Sequence, residues 1–218
     1  APAPPHTDSV VVRTRTPASH VNLMDMTRLG RTIVVEPQGE LRTVDTSAAV
    51  ALTGRLLHAG PAVRAAARTE VLAAPQRMMP PVLFALSASL VAEDAMADAA
   101  AWFYAAQVRA RFDAVRCTDP TAASALAVLR DRYGEPVNRW AFADPARVRR
   151  AAVRGVAWDR TAPHDYDHRW IALHGMGAFT GPGTGVSIPR EEWAPAAARV
   201  RAEYLAGLRA VLAEQFGR

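Results

Sequence analysis

The sequence predicts a mainly α-helical bundle of about six to seven helices with a small N-terminal β-ribbon. Three observations carry that prediction. Proline and capping pairs punctuate the chain at Gly60-Pro61, Pro80-Pro81, Asp119-Pro120 and Asp144-Pro145, the devices with which helices begin. Between these points apolar residues recur at spacings of three and four, the period of a helix with one buried face. Only residues 1–45 read differently, being rich in β-branched side chains.

Within that first segment, SVVVRTRT (9–16) and RTIVVEP (31–37) read as strands bounded by Pro, Gly and Asp. ELRTV (40–44) follows PQG, which suits a tight turn leading into a third strand. Two or three strands are marginally stable alone, so this annex is expected to pack on the helices or on a partner. The remaining residues, 46–218, are expected to form the helical domain.

Asp45, Thr46 and Ser47 are capping residues for a first helix running to about His58. A second runs from Pro61 to about Ala74, with Val63, Ala67, Val71 and Ala74 along one stripe. Pro80-Pro81 opens a third, Val82 to about Ala95, and a fourth spans about Ala97 to Arg116. Asp119-Pro120 starts the next, which Gly134 is expected to close. Asp144-Pro145 starts an arginine-rich helix expected to end near Gly155, and Pro195 to about Phe216 forms the last. Between these two lies a long irregular stretch, roughly residues 158–190. A loop of that length inside a compact domain usually carries function or lacks order.

Composition then removes whole classes of chemistry. The chain has 218 residues, half of them apolar, enough for a substantial core. All 26 basic side chains are arginine. Without lysine there is no Schiff base, no lysine general base and no P-loop. Net charge is +5, compatible with an acidic partner without requiring nucleic acid. The apolar run Val82 to Ala92 is broken by Ser87 and Ser89, so no membrane-inserting helix is expected. The single cysteine, Cys117, excludes an internal disulfide and has no histidine near it in sequence. The opening APAPPHTDS is the composition left where a signal peptidase cuts behind a small residue. Export to a periplasm is the expectation, and a cytoplasmic location would follow if this terminus had been trimmed.

AAAWFYAAQVRARFD (99–113) is the densest stretch. Met96, Ala99, Phe103, Ala106, Ala110 and Ala114 share one helical face, while Trp102, Ala105, Val108, Phe112 and Val115 cover another. A helix apolar on two faces is central to its bundle. Tyr104, Gln107, Arg109 and Asp113 are therefore expected to form a buried polar cluster, with Arg109 and Asp113, four apart, able to pair.

HDYDHRWIALHGMG (164–177) is the sharpest chemical candidate. On a helix His164 and His168 would share a face and could hold a divalent metal, with Asp167 or His174 completing the site. Pro163 and the following glycines argue for irregular backbone, and the glutamate of HExxH is absent. The string GMGAFTGPGTG (175–185) lacks the helix a dinucleotide fingerprint requires and reads as a loop. No serine sits in a G-x-S-x-G elbow. Glu191-Glu192 is expected to complement the positive end of the last helix. No cofactor is implied.

The arginine helix RVRRAAVR (147–154) presents Arg147, Arg149, Arg150 and Arg154. It has no aromatic residue of the kind that nucleic-acid readers use for stacking, so nucleic acid ranks last among the partners considered. Of the tryptophans, Trp140, Trp158 and Trp170 read either as cement at helix ends or as exposed anchors.

The helix pair at 82–116, with its pattern of alanines and aromatics, resembles one Sel1-type or tetratricopeptide unit. No second copy follows at a period near 34, so it is a local hairpin. Missing reactive groups, expected export, a helical body and a loop rich in Trp, His and Gly together resemble exported immunity-type proteins of bacterial antagonism systems. That resemblance is one of architecture. It implies a non-catalytic protein that binds a cognate toxin, with Arg147, Arg149, Arg150, Arg154, His164, Asp165, Asp167, His168 and Trp170 as the residues expected at the contact. The alternative is a metal-dependent enzyme or a metal-binding protein using the His164–His174 segment, with His164, His168 and His174 as the candidate ligands. Oligomeric state is left open.

Overall fold

The computed structural model describes residues 36–180 and 185–217. Seven long helices occupy most of them: α1 (Ser47–His58), α2 (Pro61–Ala73), α3 (Pro80–Val91), α4 (Met96–Arg116), α5 (Ser124–Ala141), α6 (Pro145–Thr161) and α8 (Trp193–Phe216). A single turn, α7 (Gly177–Thr180), lies before the last. The predicted bundle is observed. No helix among the described residues is long and apolar enough to cross a membrane.

The expected β-ribbon is not observed. Its first strand, 9–16, and residues 31–35 of its second, 31–37, fall outside the described residues, and Glu36 and Pro37 are not in a strand. The third, ELRTV, is a 3-10 turn (Gly39–Thr43) entered through Gly39 at φ +58°. Its buried residues explain why. Leu41 and Val44, three apart, both face a satellite cluster with Ala172, Ala178 and Val186. A strand would have sent them to opposite faces.

Helix α4 is central, packing on α3, α5, α6 and α8. Small residues on one face and large ones on the other let neighbours approach at different depths. The α3 run Val82-Leu83-Phe84-Ala85-Leu86 is buried throughout, so α3 needs no polar face. Its Ser87 hydroxyl donates to the Ala99 carbonyl across the α3–α4 turn, at 2.7 Å. Phe84 meets Phe103 edge-on at 5.5 Å and stacks with Tyr133 at 6.0 Å, joining α3, α4 and α5.

Of the caps read from the sequence, those at Asp119 and Asp144 form, the first on the 3-10 turn Pro120–Ala123 that leads into α5, whereas Thr46 at the start of α1 makes no side-chain cap. The Asp119 carboxylate accepts from Thr121 N–H at 2.9 Å, and Asp144 from Ala146 N–H at 2.8 Å. The two expected glycine stops do not form. Helix α5 passes through Gly134 and Pro136 to Ala141, because Tyr133, Val137 and Ala141 continue one buried stripe. That burial offsets the roughly 3 kcal/mol a helix-interior proline costs. A Cβ at Gly134 would sit 3.0 Å from the Phe103 ring. Helix α6 passes Gly155 to Thr161, and a Cβ there would lie 2.8 Å from Ala101 O and Ala105 N. Both glycines serve close packing on α4.

The described part of the stretch expected to be irregular, 158–180 and 185–190, is more ordered than predicted. Its first residues belong to α6. Residues 162–180 then form a strap across α4, containing the 3-10 helix His168–His174. Residues 186–188 are tied to the end of α4 by Thr118 N–H to Val186 O (3.0 Å) and Ile188 N–H to Arg116 O (2.9 Å). Among the described residues there is no strand, only an isolated antiparallel bridge between Cys117 and Ser187.

Candidate functional site

Two buried ion networks lie where α4 meets the strap and α6. The first centres on Arg109, whose residue exposure is 0%. Its Nε lies 3.1 Å from Asp159 Oδ1, without the alignment of a hydrogen bond, and its Nη2 donates to Ala162 O at 3.0 Å. The guanidinium is centred 4.2 Å from the Trp158 ring, and Trp158 meets Trp102 edge-on. Asp159 also accepts from Arg201 of α8 at 3.0 Å and has His164 Nε2 at 3.4 Å. Burial alone would raise the Asp159 carboxyl, but His164, Arg109 and Arg201 hold it below the usual range.

The second centres on Asp113, also at 0% exposure. Arg116 donates to it through Nε (3.1 Å) and Nη2 (2.5 Å), Trp170 through Nε1 (2.7 Å) and Tyr166 through its hydroxyl (3.0 Å). Arg116 lies between the rings of Phe112 (4.5 Å) and Trp193 (4.7 Å). Burial pushes the Asp113 carboxyl up, opposed by Arg116 and by the Trp170 N–H. The same burial, with Asp113 beside it, pushes the Tyr166 hydroxyl well up.

The expected polar cluster is thus buried, but it is wired differently. Arg109 and Asp113 do not pair. Each takes a partner of the opposite charge elsewhere, Asp159 and Arg116, and a separate set of donors or acceptors. Tyr104 and Gln107 are buried alongside. The Tyr104 hydroxyl meets no hydrogen-bond partner among the described residues, and its ring contacts Tyr204.

The histidines go three ways. His164 lies beside Asp159 and meets the Phe112 ring edge-on. His168 Nε2 is 2.7 Å from Ser187 Oγ, and its ring packs on Trp193. Burial, with Arg116 and Arg169 nearby, pushes His168 down to about 4. His174 is largely buried against Trp170, and burial lowers it too. The shared helical face required for chelation is missing, because 164–167 is not helical. Among the described residues no group of three His, Cys, Asp or Glu side chains is placed to hold a metal.

Two more expected contact residues are structural. Trp170 is 2% exposed and bonded to Asp113, so it anchors the strap and presents no surface. Asp167 caps the 3-10 helix through Arg169 N–H and pairs with the Arg169 guanidinium at 2.7 Å. Asp165 remains exposed, its own N–H donating to Gln76 O. The glycine string begins by wrapping Asp119. Gly177 N–H donates to Asp119 Oδ2 at 2.7 Å, and a Cβ at Gly175 would lie 2.2 Å from the same oxygen.

The α6 arginines have a different character. Arg147, Arg150 and Arg154 share one face with Ala151, and with Trp140 and Ala97 they line a cavity of about 320 Å³. Arg147 donates to Trp140 O at 3.2 Å and stacks on its ring at 4.8 Å. Arg154 pairs with Asp98 of α4 at 2.5 Å. Arg149 and Arg150 are exposed and have no ion-pair partner among the described residues.

Asp159, Arg116, Arg201, Tyr166 and Trp193 complete the buried networks and were not singled out from the sequence. Their signal was indirect. Arg109 and Asp113 are buried on a helix apolar on two faces, so each demanded partners: Arg109 finds Asp159 of α6, and Asp113 finds Arg116 one turn on together with Trp170 and Tyr166. No protein-family model, curated protein or solved structure matches this chain.

Proposed function

We propose that this chain is a non-catalytic protein-binding protein, of the kind that inhibits or confers immunity to a cognate toxin, and that it meets an acidic surface of its partner. The observation that carries the reading is a contrast in how charges are used. Asp113, Asp159, Arg109 and Arg116 are sealed in the interior with their opposite charges. Perturbed interior groups often mark a catalytic site, but here they are closed off by Trp158, Trp170 and Trp193 and hold helices together. On α6, by contrast, Arg149 and Arg150 stand exposed with nothing opposite them among the described residues. Unneutralised surface arginines steer and register an acidic partner.

The test is affinity capture of the tagged full chain from its native cells, with bound proteins identified by mass spectrometry. One partner at stoichiometric yield, released as salt rises, is the expected result. Absence of any partner above background at low and moderate salt overturns the reading.

A further inference from the structure

We infer that the α6 cavity is a docking slot for a single carboxylate side chain of an acidic protein partner. The inference rests on the binding reading above and names its site. Arg147, Arg150 and Arg154 follow one another at spacings of three and four, so their guanidiniums rim the same side of α6. Trp140, Ala97 and Ala151 supply an apolar floor. A volume near 320 Å³ is at the low end of the ~300–1,000 Å³ of small-molecule sites and suits one or two side chains.

The three arginines have different roles. Arg147 is fixed by the Trp140 carbonyl and ring, and Arg154 by Asp98. Arg150 lies between them in sequence and on the face, and is the one whose fork is free of an ion pair among the described residues. A planar guanidinium matches a carboxylate through two parallel N–H bonds.

Charge balance selects the occupant. The rim carries three guanidiniums against two carboxylates, Asp98 and Asp144, the latter 4.0 Å from Arg147 Nε. One positive charge is left over, which one carboxylate neutralises. A phosphate dianion would overcompensate it and face two fixed carboxylates. The same geometry makes Asp98 an internal competitor, since it already occupies Arg154. Removing its charge frees a second fork for the ligand.

The test uses the full chain and a blocked, dye-labelled decapeptide rich in glutamate, with its glutamine counterpart as control, followed by fluorescence anisotropy. The glutamate peptide is expected to bind and the glutamine peptide not. Arg150→Ala is expected to weaken binding at least tenfold, and Asp98→Asn to tighten it about threefold. Arg209→Ala, which removes an exposed charge from α8, is expected to leave it unchanged. Equal weakening by Arg150→Ala and Arg209→Ala would mean that net charge alone draws the peptide, and overturns the slot. So would weakening by Asp98→Asn, no binding at all, or displacement of the peptide by inorganic phosphate at lower concentration than by acetate. Capture from native cells separates the two levels. A partner that stays bound to Arg150→Glu refutes the slot and leaves the binding reading standing, whereas no partner on the unaltered chain refutes both.

Discussion

Replacing Asp113 with alanine removes the acceptor of Arg116, Trp170 and Tyr166 together. Arg116 is then left inside the protein, 2% exposed, between Phe112 and Trp193 with no anion. Breaking a buried pair from one side costs about 3–5 kcal/mol, because the remaining charge is neither paired nor hydrated. The Trp170 and Tyr166 donors lose their partner as well, each worth about 1–2 kcal/mol, although the terms overlap and do not add. A loss of about 4 kcal/mol is a large part of the 5–15 kcal/mol that holds an ordinary domain folded. Urea unfolding followed by far-ultraviolet circular dichroism, at pH 7, measures it. The double replacement Asp113→Ala with Arg116→Met removes both charges and is expected to recover at least about 2 kcal/mol of the loss, since apolar substitutes for a buried pair are often well tolerated. A loss below about 1 kcal/mol for Asp113→Ala would refute the claim that this pair is sealed in the interior. A double variant no better than the single would refute the assignment of the cost to stranded charge.

Gly155→Ala places a methyl group 2.8 Å from two backbone atoms of α4, so it is expected to destabilise by about 1–3 kcal/mol, although alanine favours helix. Thermal unfolding checks the sign. His168 is neutral in the folded protein down to about pH 4 but protonates near 6.5 when unfolded, so stability is full above 6.5 and is lost as pH falls towards 4. At about 1.4 kcal/mol per pH unit, discounted for the ring's partial exposure, this amounts to about 1–2 kcal/mol. His168→Asn is expected to flatten that part of the pH profile, and an unchanged slope would contradict it. Asp159→Asn removes the anion beside Arg109, which is left buried without an opposite charge, and a loss of about 3 kcal/mol or more is expected. Removing the Arg201 end alone is expected to cost less, because Asp159 then still has Arg109 and His164 beside it.

The sequence exposed much of the fold because local chemistry determined it. The two apolar faces of α4 declared a central helix, and Asp119 and Asp144 declared their caps. What local chemistry leaves open was read less well. A glycine inside a helical pattern is a stop or a contact, and only the partner surface decides. Phe103 decides it for Gly134, and the α4 backbone does so for Gly155. Arg109 and Asp113, four apart, have the spacing of a pair, yet Asp113 pairs with Arg116, three residues on in the same helix, and the fold brings Asp159 of α6 to Arg109. The tertiary partner wins for Arg109, whereas Asp113 keeps a local counter-charge and takes its distant partners, Trp170 and Tyr166, from the strap. ELRTV failed as a strand because Leu41 and Val44 needed one common direction. For the candidate site, the arginine helix was legible from composition alone. Its separation into fixed, paired and unpaired members was not, because Trp140 and Asp98 come from other helices. The histidines looked like a cluster only along the chain, and the turns between them send each to a different neighbour.

Comparative capture from native cells, using the tagged chain, Arg150→Glu and His168→Asn side by side, bears most directly on the claim that this protein works by binding through α6. One stoichiometric partner on the unaltered chain, lost with Arg150→Glu and kept with His168→Asn, is the predicted result. A partner lost with His168→Asn and kept with Arg150→Glu would contradict it and move the contact to the strap.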